Sequence, residues 1–536
     1  MALRRSPLLS AVLAAAVAGS LAVTAGGAPA AGAAPRTVAA TAQDVPTTGF
    51  RFVDITARDG AVLKANVIAP TTAGRHPAIV FVNSWGLNDA QYLVQASAFA
   101  KRGYVVLSYT TRGFWGSGGE IDTAGPKDMA DVSTVIDWLL ANTAADPARI
   151  GASGVSYGSG IALLASAFDQ RIRAVVSMST WSDLVYSLYG NDTRHPQTVW
   201  LLDTAARLLG RPSAEFEALV QAYFANQNID GLTAWGRVRS ASTYLDAINR
   251  NRPAILMANG YGDTIFAPNQ LVDFFGRLTV PKRLELAPGD HVIAEGLGLL
   301  GLPNHVWDSA ARWFDRYLAG KATGIDTEPP VVLRRPGTDA VEAYPDWAHV
   351  ASSTQRLNLG APNWWDGTGP MRTADQGSWS KQISTGTNTT ADAGVILLSN
   401  GLSALTGITP TIWLPTVNRR DAGVWVSDPL PGGGAIRGCP RLHLEINASQ
   451  PKGTLIAYLY DMDWLGAAKL IGNTPITWLE PTNTLDLTME AMAYDVPAGH
   501  QLVLVVDTVD PLYLGATASG GTVTFTGGSR LELPLR

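Results

Sequence analysis

The chain has 536 residues and a mass of 56.7 kDa, too long for one ordinary hydrophobic core, so several domains are expected at roughly 150 residues each. With 46% hydrophobic and 16% charged residues it is too apolar for disorder, and a net charge of −5 with a pI near 5.8 lacks the basic stripe of a nucleic-acid binder. The single cysteine, Cys439, excludes an intrachain disulfide and a cysteine-rich zinc site.

At the N terminus, Arg4 and Arg5 precede an apolar run from Leu8 to Val23, and the small residues Ala31-Gly32-Ala33 follow. A positive start, a short apolar stretch and an A-x-A-like site predict a secretory signal peptide over residues 1–33. The Ala-rich run is shorter than the roughly 20 residues that cross a bilayer. The mature protein is therefore expected to be secreted, without stable membrane association.

From Phe50 to about Tyr317, short β-branched runs alternate with helical stretches. Strands are predicted at 78–82, 104–108, 149–153, 174–178 and 254–258. Helices are predicted over 91–102, closed by Gly103, over 128–140, with Val132, Val135, Ile136 and Leu139 on one face, and over 158–168. Such alternation implies an α/β domain, expected over 48–335, with a parallel sheet covered on both faces. Residues 181–252 break the rhythm with helices such as 199–209 and 213–226. An all-helical insertion between two sheet strands reads as a cap over the sheet's carboxyl edge, where substrate sites of open α/β sheets lie. After about Pro336, short alternating strands recur, as at 441–446, 455–460 and 501–506, punctuated by Gly, Pro, Asn and Asp. They predict an all-β sandwich or jelly roll over 350–536.

The sharpest chemical signal is Gly154-Val155-Ser156-Tyr157-Gly158, between a predicted strand and a predicted helix. In this G-x-S-x-G elbow the glycines permit a strained turn that lifts the serine hydroxyl above the sheet edge, making Ser156 the candidate nucleophile. A serine needs a base. Of the seven histidines, His76 precedes Ser156, His195 sits in the cap, and His349, His443 and His500 lie in or near the β-rich part. His291, just after the predicted strand 282–286, is the candidate base, with His305 as its substitute. Asp263, in the loop after strand 254–258, is the candidate acid. Asp290 and Asp273 are the alternatives, read as solvated or capping carboxylates. The backbone N–H groups of Tyr157 and Trp85, the latter in the loop Asn83-Ser84-Trp85-Gly86, are candidate oxyanion donors, and the Trp85 indole is open as an alternative. The glycine-rich loop from Arg112 to Gly119 lacks the lysine of a P-loop and reads as a structural turn. The chemistry requires no cofactor and no metal.

The elbow, the Arg112–Gly119 loop, Asp263, His291 and the late β-domain together resemble the peptidase S15 superfamily, and within it the cocaine esterase-like acyl esterases. The resemblance implies an α/β-hydrolase sheet with a helical cap, followed by a noncatalytic C-terminal jelly roll packed on the catalytic domain. It also implies hydrolysis through an acyl-enzyme of esters, α-amino acid esters, acyl amides or X-Pro dipeptides. Three departures stand out. The long N-terminal helical domain of bacterial X-prolyl dipeptidyl peptidases does not fit between Ala34 and Phe50. Trp85 stands where members often place a tyrosine hydroxyl. The cap, about 70 residues, is compact for the family. No carboxylate cluster that would hold an α-ammonium group is matched, and the only candidates, Asp183 and Asp192, read as helix caps or surface charges. The expectation is a secreted serine hydrolase acting on small acyl esters, with an X-Pro dipeptidyl peptidase or amidase as the alternative. A third reading, a wall- or glycan-binding protein, rests on Trp364, Trp365 and Trp379. The expected partner is a small ester or short peptide, and the oligomeric state is not legible.

Overall fold

The computed structural model describes residues 47–406 and 409–536, and the predicted leader over residues 1–33 lies outside the described residues. Ten strands form the first sheet: β1 (Thr48–Thr56), β2 (Val62–Pro70), β3 (His76–Val82), β4 (Val105–Tyr109), β5 (Ala145–Val155), β6 (Ile172–Met178), β7 (Ala254–Gly260), β8 (Lys282–Ala287), β9 (Val331–Arg334) and β10 (Val341–Tyr344). They lie in the order β1-β2-β4-β3-β5-β6-β7-β8-β9-β10. The centre, from β4 through β3 to β9, is parallel, and antiparallel pairs close both edges. Central strands are buried on both faces, which is why β3 and β7 read as continuous apolar runs rather than alternating ones.

The sheet continues to Tyr344, past the boundary expected at residue 335. The signal was weak because β10 is a four-residue edge strand with only Tyr344 buried, and a Gly337 turn at φ 70° leads into it. Five helices between β6 and β7 build the cap: Leu184–Tyr189, Pro196–Leu209, Ala214–Ala225, Ile229–Val238 and Leu245–Asn251. Ser213 starts the third with its hydroxyl accepting from the Phe216 N–H at 3.2 Å. The Arg112–Gly119 loop is a structural turn, its guanidinium paired with the buried Asp131 at 2.7 Å and with Asp59 at 2.8 Å.

The second half is all-β, with fourteen strands among the described residues around a core that includes Trp425, Phe525 and Leu459. One element there was not expected, the short helix Ser399–Thr406. Of the three tryptophans read as a surface platform, Trp364 and Trp365 are exposed. Trp379 instead packs on Trp425 and donates its indole N–H to the Leu359 carbonyl. The two halves share one apolar cluster, in which Tyr458, Tyr460, Val503 and Val505 join Ile265 and Phe266. Tyr186 of the cap donates to Glu490 across the same junction at 2.7 Å. The β-domain is thus packed against the walls of the candidate site.

Candidate active site

Ser156 sits between β5 and the helix Tyr157–Ala165, with φ 57° and ψ −121°. That is a strained conformation for a residue with a Cβ, of a kind that persists only where the surroundings enforce it. The enforcement is visible: the Ser156 N–H donates to the Met178 carbonyl at 2.9 Å, Gly154 lies against the backbone of Gly158 and Ser159, and Gly158 lies against the backbone of Val82 and Asn83.

The structure brings Ser156, His291 and Asp263 into one line. The serine hydroxyl donates to His291 Nε2 at 2.7 Å, and His291 Nδ1–H donates to Asp263 Oδ2 at 2.9 Å. Asp263 Oδ1 accepts from the N–H groups of Ile265 at 2.9 Å and Phe266 at 2.7 Å, so its own loop orients it. All three side chains are buried. The loop behind the base is strained too: Val292 follows His291 at φ 66°, and its N–H donates to the Ser179 hydroxyl at 2.9 Å.

The other candidates lie elsewhere. His305 begins the helix His305–Tyr317, and burial with the nearby Arg334 pushes it down to about 4. His195 of the cap stacks edge-on against Tyr513 of the β-domain, and Asp273 pairs with Arg277. Asp290 turns its carboxylate onto backbone and Thr264 rather than onto the imidazole.

For the oxyanion hole, the Trp85 indole N–H is engaged by the Leu202 carbonyl of the cap at 2.9 Å, and only its backbone N–H is left. The Tyr157 phenol is likewise engaged, donating to Asp128 at 2.8 Å. Among the described residues, neither the Trp85 nor the Tyr157 backbone N–H has an acceptor, and the latter opens a helix. Trp85 and Tyr157 line the same cavity as Ser156, and two free N–H groups are what a developing oxyanion needs.

A cavity of about 120 Å³ opens from Ser156 under the cap, lined by Trp181, Leu202, Phe216, Val220, Trp235 and Phe266 among others. No acidic or basic side chain lines it among the described residues. Asp183 caps the helix Leu184–Tyr189 instead, accepting from the Tyr186 N–H at 3.0 Å, and Asp192 is exposed.

Burial opposes protonation of His291, but the Asp263 charge, with Glu295 and Asp290 nearby, outweighs it and raises the imidazole above its ordinary 6.5. Sequence reasoning did not single out Glu295, which is fully buried and pushed up to about 7. A base works only when neutral, so a raised pKa removes activity at a higher pH than usual. The expected kcat/KM therefore falls with decreasing pH through an inflection above 6.5, broadened because Asp290 and Glu295 titrate near 7. Glu295→Gln is expected to move that inflection down. A pH profile on a neutral ester checks both, and a wild-type inflection at or below 6.5 would contradict the coupling.

Residues 59–293 match the family model described as X-Pro dipeptidyl-peptidase (S15 family). Residues 323–530 match that described as X-Pro dipeptidyl-peptidase C-terminal non-catalytic domain. An uncharacterized 31.7 kDa protein of Escherichia coli is 32% identical over 111 residues, covering 20% of this chain and 39% of that protein. The chain thus spans about two fifths of the length of that relative. A protein of Streptomyces avermitilis, named as a candidate Xaa-Pro dipeptidyl-peptidase, is 23% identical over 491 residues, covering 80% of this chain and 70% of its own. The solved structure of an α-amino acid ester hydrolase superposes with a TM-score of 0.68 at 15% identity, covering 93% of this chain and 98% of its own. At that identity the likeness speaks for the fold alone. With the sheet-bearing half and the β-half matching the two models of one family in order, the chain belongs to the peptidase S15 family of serine hydrolases.

Proposed function

We propose that this chain is a secreted esterase that cleaves small, uncharged acyl esters through an acyl-enzyme. Ser156 Oγ attacks the ester carbonyl while His291 Nε2 takes its proton, and Asp263 holds the imidazole in the tautomer that can accept it. The carbonyl oxygen gains a full negative charge at the N–H groups of Tyr157 and Trp85. His291 then gives the proton to the departing alkoxide oxygen, and a water activated by the same nitrogen releases the acid.

The observation that carries the preference for esters is the apolar cavity beside Ser156. An X-Pro dipeptide or an α-amino ester presents an ammonium group near the reacting carbonyl. Enclosed without a carboxylate, that charge would lose its hydration uncompensated, a cost of several kcal/mol. The second reading, an X-Pro dipeptidyl peptidase, is favoured by the descriptions of both family models and by the Streptomyces relative.

The two separate on paired substrates. A short-chain p-nitrophenyl ester is expected to turn over at least about 10³-fold faster in kcat/KM than Ala-Pro p-nitroanilide, the penalty of a buried unpaired ammonium being on the order of 4 kcal/mol. Comparable rates would move the protein to the peptidase reading. Export rests on the leader-like residues 1–33, and a secreted form beginning near Ala34 by N-terminal sequencing is its test.

A further inference from the structure

Where β7 and β8 end, their loops continue side by side. Gly260 pairs with Ala287 as the last rung of the parallel ladder. Beyond it the Tyr261 N–H donates to the Ala287 carbonyl at 2.9 Å, and the Gly262 N–H donates to the Gly289 carbonyl at 3.0 Å. The next connection is made by a side chain. Asp290 Oδ1 accepts from the Thr264 N–H, the Thr264 hydroxyl and the His291 N–H, each at 2.8 Å. Thr264 directly follows Asp263, and Asp290 directly precedes His291. One buried oxygen therefore joins the residue after the acid to the residue before the base.

The junction is braced from the β-domain. The Leu397 N–H donates to the Thr264 hydroxyl at 3.2 Å, and the Asn400 amide donates to the Gly262 carbonyl at 2.8 Å. Both come from the segment that carries the unexpected helix Ser399–Thr406.

This arrangement is costly to keep. Asp290 is 1% exposed, faces the Asp263 carboxylate, and leaves its Oδ2 without a partner among the described residues. A buried carboxyl beside another carboxyl, half of it unsatisfied, disfavours the fold unless the position does something an apolar residue would not. It is not the orienting acid, because Asp263 already holds Nδ1.

We propose that Asp290 is a positioning residue that latches the acid loop to the base loop, and that the β-domain segment 395–400 braces this latch through Thr264. This rests on the reading of Ser156, His291 and Asp263 as the reacting triad. Its consequence is that the β-domain, though it supplies no reacting group, sets the distance between acid and base. Only Oδ1 does the latching, so an amide oxygen at the same place serves equally.

The test compares wild type, Asp290→Ala, Asp290→Asn and Thr264→Val on p-nitrophenyl butyrate at about pH 6, where burial keeps Asp290 and an asparagine alike in charge. Loss of the latch is expected to lower kcat roughly 30- to 100-fold in Asp290→Ala with KM within about threefold, since small misplacements of reacting groups cost up to about 10². Asp290→Asn is expected to recover kcat to within about fivefold of wild type, and Thr264→Val to lower it roughly three- to tenfold. An unchanged kcat in Asp290→Ala, a KM that rises as much as kcat falls, or an asparagine no better than alanine would each overturn the proposal. If Asp290→Ala does not fold, Thr264→Val decides, and an unchanged kcat there rejects the latch. Failure of the triad reading shows separately, as wild-type protein whose Ser156 is not labelled by a fluorophosphonate.

Discussion

Ser156→Ala is expected to lower kcat/KM for a p-nitrophenyl ester by roughly three or more orders of magnitude, while the protein stays folded. The hydroxyl lies 2.7 Å from His291 Nε2 and is the only serine oxygen bonded to that imidazole among the described residues. Without it no acyl-enzyme forms, and what remains is water attacking a carbonyl polarised by the Tyr157 and Trp85 N–H groups. The fold should tolerate the change. Alanine has the same Cβ as serine, so the strain at φ 57° is unchanged, and the Ser156 N–H keeps its bond to Met178. Because the three side chains act as one unit, Ser156→Ala combined with His291→Ala is expected to be little worse than Ser156→Ala alone. Steady-state kinetics, with fluorophosphonate labelling of both proteins, measures this. Activity within tenfold of wild type would remove Ser156 from the mechanism.

What the sequence made legible is what local chemistry dictates. The elbow could be read because a strand, two glycines and a helix lie within a dozen residues of Ser156, and each is needed for the same turn. Asp263 and His291 could be read because the loops after β7 and β8 must emerge at the sheet edge that Ser156 occupies. The rest depends on partners distant in the chain. Whether the Trp85 indole or its backbone is free depends on Leu202, 117 residues later, whose carbonyl takes the indole N–H. Asp290 looked like a solvated loop residue because two of its three donors come from Thr264, 26 residues earlier. The helix Ser399–Thr406 carries Gly401, Ser and Thr and only eight residues, too short to be stable by propensity alone, and it is seated by contacts with Gly262 and Thr264 that no periodicity announces. The apolar character of the acyl cavity is likewise a property of four packed cap helices, Leu184–Tyr189 through Ile229–Val238, rather than of any one of them.

The elbow's second glycine gives the largest structural prediction. In Gly158→Ala the new Cβ would overlap the Val82 carbonyl oxygen, with the Val82 carbonyl carbon at 2.6 Å and the Asn83 oxygen at 2.8 Å. All three are backbone atoms at the end of β3, so no rotamer change relieves the clash, and the helix Tyr157–Ala165 must move away from the sheet. Overpacking that forces the backbone to shift costs about 1–3 kcal/mol and occasionally more. The atoms in the way belong to the strand whose next residues, Asn83 to Gly86, carry the Trp85 N–H. The same displacement therefore separates the two oxyanion donors and tilts Ser156 away from His291. The expected outcome is a clear drop in melting temperature, and a loss of at least about 10² in kcat/KM, the cost typical of removing one oxyanion donor. Gly276→Ala is the control. Its Cβ would meet nothing within 4 Å on the helix Asn269–Arg277, and alanine there is expected to be neutral or to stabilise by about 0.5–1 kcal/mol. Thermal unfolding and fluorophosphonate labelling rates compare the pair. If Gly158→Ala labels as fast as wild type and melts at the same temperature, the approach of helix to strand does not hold the elbow in place, and the strain at Ser156 must be supported by β5 and β6 alone.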